Sequence, residues 1–333
     1  MLPPLKPDSI LRSRYHIVRA IGQGGMGSLY LAEDNRLDGR MCAIKVIGID
    51  PHSSPSQQDQ AREQFYREAS VLARLDHPNL PKVSDFFSEG NRDFLVMDFV
   101  PGEDLRLKIE EAKSQKKPIP NRQALNWAGQ LCDAVVYLHS QDPPVLHRDI
   151  KPANIKLTPD GLIKLVDFGL VKLMVPDDTR TITVLQGRGS AFYTPLEQYG
   201  GDTGHTDPRS DIYSLGATLY HLLTTEPPVE AKARFLQPES LKPPRVLNPN
   251  LSLRTEQAIL WALEMHPNNR PPDVQTFKEM LLSTGPLSLW PVHESQRPLD
   301  QIAPVNRILA LVALVLLTLS FVATLFPLTI SAP

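Results

Sequence analysis

Cysteine is nearly absent from this sequence: Cys42 and Cys132 are the only two in 333 residues. Two thiols cannot build a disulfide framework or a four-thiolate metal site, which fits a reducing compartment. A charge excess is lacking as well. With 35 basic and 37 acidic residues the net charge is −2. The overall field therefore gives no case for nucleic acid or an anionic surface as the main partner. No basic and apolar stretch follows Met1, so no export signal is visible. Internal repeats and low-complexity tracts are also missing. Hydrophobic residues at 41% and charged residues at 22% argue against a mostly disordered chain and against a polytopic membrane protein. Proline is what the chain has in excess, with 32 residues, and many loops follow. At roughly 100–200 residues per domain, the length suggests two domains or one two-lobed unit.

From Ile308 to Pro333 there is no charged side chain. Within that stretch, Ile308–Phe326 is apolar except for Thr318, Ser320 and Thr324. A helix of that length spans about 28 Å, near the ~30 Å of a bilayer core. A buried core helix is the alternative, but this segment is apolar on every face. We expect a single transmembrane helix at 308–326, after a juxtamembrane linker at 283–307 and before a short outer tail at 327–333. Arg297 and Arg307 precede it, which by the positive-inside rule puts the preceding residues in the cytoplasm. The expected location is the cell membrane, and no extracellular sensor module is visible.

Residues 1–14 read as a Pro-rich, polar N-terminal tail that orders on contact. Tyr15–Ile21, Ser28–Ala32 and Met41–Ile47 read as strands. Pro51–Gln60 reads as a polar loop, and Ala61–Leu75 as a helix with Phe65, Ala69 and Leu72 on one face. From about Gly102 to Leu282 the pattern is mainly helical. Asn121 is expected to cap a helix bearing Leu125, Ala128, Cys132, Val135 and Leu138. Asp211–Thr224 is apolar around much of its circumference and so is expected to be central. A strand-rich half (15–98) before a larger helical half (102–282) predicts a two-lobed α+β fold with a cleft.

Gly22-Gln23-Gly24-Gly25-Met26-Gly27 lies between two strand-like runs. Glycines there let backbone N–H groups approach phosphate oxygens. The motif alone is weak evidence, and its dinucleotide-binding form needs a helix to follow. A strand follows here, which favours a hairpin lid over a nucleotide. Lys45 interrupts an apolar strand; alone it would be an ordinary edge or snorkelling lysine. Glu68 falls on the inward face of its helix, where a carboxylate needs a cationic partner. Lys45 is the natural candidate, and the pair would aim the ammonium at phosphates. Val145–Leu157 sets His147, Arg148, Asp149, Lys151 and Asn154 between apolar residues, and Asp167-Phe168-Gly169 follows. Asp149, Asn154 and Asp167 offer a base and hard oxygen ligands, which suit Mg²⁺. Caps and turns of a polar loop are the bland alternative.

The set G-Q-G-G-M-G-S-L, C-A-I-K, H-R-D-I-K-P-A-N and D-F-G, in this order, resembles a protein kinase domain over about Tyr15–Leu282. The lysine in H-R-D-I-K-P-A-N resembles the serine/threonine class. The G-G-M-G loop, A-N-I-K-L and P-L-E-Q-Y resemble bacterial eukaryotic-like (Hanks-type) kinases with a membrane anchor. The resemblance implies ATP with Mg²⁺, Mn²⁺ being an alternative ion. It implies Asp149, Lys151, Lys45 and Glu68 as catalytic residues, and Asn154 and Asp167 as metal ligands. Around ATP it places Ile21, the loop from Gly22 to Gly27, Ser28, Leu29, Ala43, Lys45, the gatekeeper Met97, Asp98, Val100 and Lys156. Leu72, Val83, His147 and Phe168 match the apolar column joining the lobes. Gly169 completes D-F-G. Glu197 and Arg270 match a buried ion pair, and Asp211 matches the brace of the H-R-D loop.

Three departures stand out. Pro195-Leu196-Glu197 replaces Ala-Pro-Glu. Ser190 replaces a threonine that positions substrate, and keeps the hydroxyl. Lys156 stands where an apolar residue usually packs under adenine, and its stem could cover the ring while the ammonium snorkels out. Arg148 is of the kind that pairs with a phosphate on the activation segment. Thr179, Thr181 and Thr183 are the expected autophosphorylation positions, with a homodimer as one route. Protein substrates are the expected partners, and nucleic acid is not. Loss of Lys45, Asp149 or Asp167 would support a pseudokinase, a nucleotide-responsive binding module, and none is lost. A kinase-like small-molecule phosphotransferase is the other alternative, and the long 168–197 segment and Lys151 favour a protein hydroxyl acceptor instead.

Overall fold

The computed structural model describes residues 3–24, 27–48, 53–167, 190–199 and 207–283. The chain divides into two compact units, Met1–Gly285 and Pro286–Pro333, and every described residue belongs to the first. The expected membrane helix at 308–326, the tail at 327–333 and most of the linker lie outside the described residues. Among the described residues, no helix is long and apolar enough to cross a membrane.

The N-terminal lobe is a six-stranded antiparallel sheet. It contains β1 (Ile10–Leu11), β2 (Tyr15–Gly24), β3 (Gly27–Asp34), β4 (Met41–Gly48), β5 (Val83–Glu89) and β6 (Arg92–Asp98), in the order β1-β2-β3-β4-β6-β5. Side-chain alternation splits it into two faces. Tyr30, Ala32, Cys42, Ile44, Val46, Phe94 and Val96 build the core on one face, with Tyr15, Ile17 and Phe87. Ala43, Lys45 and Met97 alternate with them on the other. Phe87 stacks on Tyr15 and Phe94 at centroid distances of 6.1 and 4.8 Å.

Residues 3–14 pack as part of this lobe. Leu5 packs on the core, and its N–H donates to Tyr30 Oη at 2.9 Å. Asp8 N–H donates to the Ile17 carbonyl, and Ile17 N–H to the Ser9 carbonyl. These bonds are mostly backbone, so composition does not announce them.

Helix α1 spans Pro55–Leu72, so residues 55–60 are helix and not loop. Its start is dictated by a capping box: Gln57 N–H donates to Ser54 Oγ, and Ser54 N–H donates to Gln57 Oε1. Pro55 fits the first turn, where its missing donor costs nothing. Phe65, Glu68, Ala69 and Leu72 form its buried face.

The C-terminal lobe holds α2 (Leu105–Ser114), α3 (Asn121–His139), α4 (Pro208–Thr224), α5 (Ala231–Leu236), α6 (Pro244–Leu247), α7 (Leu253–Ala262) and α8 (Val274–Leu282). A small sheet of β7 (Glu103–Asp104), β8 (Ile155–Leu157) and β9 (Ile163–Leu165) sits at the cleft. Pro120, not Asn121, occupies the cap position of α3. Asn121 Nδ2 instead donates to the Asn250 carbonyl at 2.9 Å. Helix α4 is buried on nearly every side, as its sequence predicts. Asp207 caps it with a bond from Arg209 N–H at 2.7 Å. Gly216 allows α4 to approach α7 closely, since a Cβ there would meet Ala262 Cβ at 2.7 Å.

Candidate active site

A cleft of about 380 Å³ is lined by residues of both lobes. Ile21 of β2, Leu29 of β3, Ala43 and Lys45 of β4, and Met97 of β6 contribute from the sheet. Asn154, Lys156, Val166 and Asp167 contribute from below, and Asp98–Val100 and Gly102 from the connection. Lys45 and Ala43 share a face because they are two residues apart in one strand.

The strands β2 and β3 form the hairpin anticipated for the glycine loop. Gly22, Gln23 and Gly24 pair with Leu29, Ser28 and Gly27, and the tip, Gly25-Met26, lies outside the described residues. Gly27 adopts φ 128°, and a Cβ on it would meet the Val46 carbonyl oxygen at 2.2 Å. Only glycine permits this approach of the loop to β4.

The catalytic loop hangs from Asp211 of α4. Arg148 N–H donates to its Oδ1 at 2.8 Å, and His147 N–H to its Oδ2 at 2.9 Å. His139 Nε2 reaches Oδ2 at 2.9 Å. Burial alone would raise the Asp211 pKa, but these donors and nearby His charge outweigh it and hold the carboxyl below the usual range. Arg148 sits at φ 63°, a left-handed geometry rare for non-glycine residues. His147 is fully buried. Leu72 and Val83, its expected partners in the lobe-joining column, are also buried.

Asp149 Oδ2 accepts hydrogen bonds from Lys151 Nζ at 2.8 Å and Asn154 Nδ2 at 2.9 Å. Lys151 Nζ also donates to Ser190 Oγ at 2.8 Å, linking the catalytic loop to the end of the 168–197 segment. Asn154 Nδ2 is spent on Asp149, which leaves the amide oxygen as its acceptor. That oxygen and the half-exposed Asp167 carboxylate are hard donors lining one cleft. This chemistry fits Mg²⁺, which takes one or two protein oxygens and completes its shell with phosphate and water. Among the described residues no group of three His, Cys, Asp or Glu could hold a metal.

The expected Lys45–Glu68 pair is not formed among the described residues. Lys45 Nζ pairs with Asp167 Oδ1 instead. Glu68 Oε1 accepts from Gln64 Nε2 at 2.6 Å, and Glu68 Oε2 is buried without a hydrogen-bond partner. Burial pushes the Glu68 carboxyl up to about 7, against the pull of Gln64 and the Arg148 charge. The position of α1 decides this: its buried face carries Glu68 beside Arg148 rather than Lys45.

Lys156 lies on β8, paired with Asp104 and Lys164. Its Nζ donates to the Gly102 carbonyl at 3.1 Å, and both residues line the cleft. Glu197 and Arg270 form the expected ion pair, and Ser210 Oγ donates to Glu197 Oε1 at 2.8 Å. Phe168, Gly169, Thr179, Thr181 and Thr183 lie outside the described residues.

Gln64, His139 and Ser210 escaped sequence reasoning. Each is a hydrogen-bonding partner of an acidic residue brought near by folding, and none carries a motif. Gly102 had a signal in Pro101-Gly102.

Residues 15–281 match the family model described as protein kinase domain. Serine/threonine-protein kinase PknB of Mycobacterium leprae is 33% identical over 298 residues, covering 86% of this chain and 44% of that protein. Serine/threonine-protein kinase PrkC of Bacillus subtilis is 34% identical over 267 residues, covering 78% and 39%. The chain thus spans about two fifths of the length of these curated relatives. Among solved structures, the apo form of PpkA-294 superposes with a TM-score of 0.69 at 27% identity, covering 84% of this chain and 99% of that one. The PknI kinase domain of Mycobacterium tuberculosis gives 0.62 at 28% identity, covering 84% and 98%. The chain belongs to the protein kinase family, in its bacterial Hanks-type serine/threonine branch.

Proposed function

We propose that this protein transfers the γ-phosphate of ATP to serine and threonine hydroxyls of proteins, its own activation segment included, while tethered to the cell membrane by residues 308–326. The observation that carries the reading is the Asp149 carboxylate, held by Lys151 and by Asn154, itself a residue of the cleft lining. An acceptor hydroxyl there attacks the γ-phosphorus, the bond to the β–γ bridging oxygen breaks, and ADP leaves. Asp149 orients the hydroxyl and takes its proton. Lys151 offsets charge on the transferring group, and Ser190 keeps Lys151 in place. Catalysis of this kind is positioning and electrostatic stabilisation. Asn154 and Asp167 would hold Mg²⁺, which supplies neutralisation of phosphate charge.

The Lys45–Asp167 pair describes a resting arrangement. In the working one, Lys45 turns to the α- and β-phosphates, Glu68 follows it, and Asp167 is released for the metal. Phosphorylation at Thr179, Thr181 or Thr183, within one chain or across a homodimer, supplies an anion for Arg148 and favours that exchange. The methylene stem of Lys156 serves as the adenine floor, and Met97, Asp98 and Val100 border the base.

Incubation of the full chain with γ-labelled ATP, Mg²⁺ and a protein acceptor tests the reading, followed by phosphoamino-acid analysis. Label on serine and threonine supports it. Label on tyrosine alone, or none from a folded, ATP-binding chain, overturns it. Phosphopeptide mapping of active protein with all three threonines unmodified would remove the activation-segment part. Flotation of the full chain with vesicles after alkaline washing supports the tether, and its release by the wash removes it.

A further inference from the structure

The three most exposed large apolar side chains among the described residues are Leu236 at 80%, Phe235 at 68% and Val246 at 66%. All lie within one short stretch, on α5, α6 and the segment between. That stretch is anchored, not frayed. Arg234 Nη1 donates to the Leu263 carbonyl at 2.8 Å, Tyr220 Oη to the Lys242 carbonyl at 2.9 Å, and Arg245 N–H to Glu256 Oε1 at 2.9 Å. The apolar side chains are therefore held outward on a fixed scaffold. Exposed around them are Lys232, Lys242 and Arg245, against one exposed carboxylate, Glu239. The chain is close to neutral as a whole, so this cationic bias is local.

We infer that this face docks on an anionic bilayer surface. Aromatic and aliphatic side chains flanked by Lys and Arg suit the interfacial zone: the apolar groups enter the acyl boundary while the cations meet anionic headgroups. The inference rests on the membrane tether proposed above. Residues 283–307 separate the end of α8 from the apolar run, and even fully extended they reach no further than about 90 Å. A catalytic unit confined to that distance meets the leaflet at high effective concentration, so modest contact energy suffices to orient it. Docking would give the active cleft a fixed attitude to the membrane and bias it toward membrane-bound acceptors.

The test uses the full chain reconstituted in phosphatidylcholine vesicles with and without phosphatidylserine, and amide hydrogen exchange over 232–246. We expect exchange there to be about five-fold slower with phosphatidylserine, the effect of one well-placed cation at an anionic leaflet. Lys242→Glu with Arg245→Glu should abolish the difference and leave transfer to a soluble peptide unchanged. Equal exchange on both lipids in the folded chain overturns the inference. Protection that follows protein density on the vesicle, rather than phosphatidylserine, assigns the face to a second copy and also overturns it. A chain that does not float with phosphatidylcholine vesicles loses the tether but not the face. In that case salt-sensitive flotation with phosphatidylserine alone, lost in the double variant, still supports docking, and no flotation overturns both.

Discussion

Arg270 and Glu197 form a two-pronged ion pair, with Nη1–Oε1 at 2.6 Å and Nη2–Oε2 at 3.1 Å. The guanidinium's remaining donors reach the carbonyls of Glu264, Met265 and Arg209. One side chain thus ties the segment before α8 to α4 and to the end of the 168–197 segment. Removing one member leaves the other buried and charged. Arg270→Ala should destabilise the catalytic unit by about 3–5 kcal/mol, read as a lower midpoint in urea. An unchanged midpoint would show that the pair holds position without contributing stability.

Glu68 predicts a pH dependence. Its folded-state pKa of about 7 lies above the ordinary carboxylate value near 4.5. Between these values the folded form keeps a proton that the unfolded form has lost, so stability should fall as pH rises from about 4.5 to about 7. Glu68→Gln should flatten that interval. Urea unfolding of both proteins at pH 5 and pH 8, without nucleotide, checks this. A wild type that gains stability across the window contradicts it.

Gly102 adopts φ 103°, and a Cβ there would meet the Leu157 carbonyl oxygen at 2.0 Å. Gly161 also has positive φ, 85°, but open space around it. Gly102→Ala should therefore cost more than the roughly 1–3 kcal/mol of backbone strain alone, and should weaken ATP binding, because Gly102 lines the cleft. Gly161→Ala should carry the strain only. Thermal unfolding and nucleotide titration of both variants separate the two effects.

Lys156 predicts a gain of affinity. It lines the cleft, and its ammonium donates to the Gly102 carbonyl. Leucine would give a fuller apolar floor with no cation at the rim. Lys156→Leu should bind ATP several-fold more tightly by calorimetry. Unchanged affinity would mean that the lysine stem already serves as well as leucine.

What the sequence made legible follows from which interactions are local. Helix α4 could be read because apolar residues surround it, and the candidate site because Asp149, Lys151 and Asn154 sit on one short loop. The start of α1 was written in Ser54-Pro55-Ser56-Gln57, yet the polar composition of 51–60 hid the capping box. The docking of residues 3–14 rests on backbone pairing with β2 and on the Tyr30 hydroxyl, which leave no compositional trace. The partner of Glu68 was misread because periodicity gives the face of a helix and not its placement. Where α1 sits puts Glu68 with Gln64 instead of Lys45.

The central claim is that Asp149 activates a protein hydroxyl for attack on ATP. Transfer of γ-labelled phosphate to a serine-containing acceptor by the wild type and by Asp149→Asn, with ATP affinity measured on each, tests it most directly. ATP affinity should stay within about two-fold, and transfer should fall by at least about 10²-fold. Undiminished transfer by Asp149→Asn would contradict it.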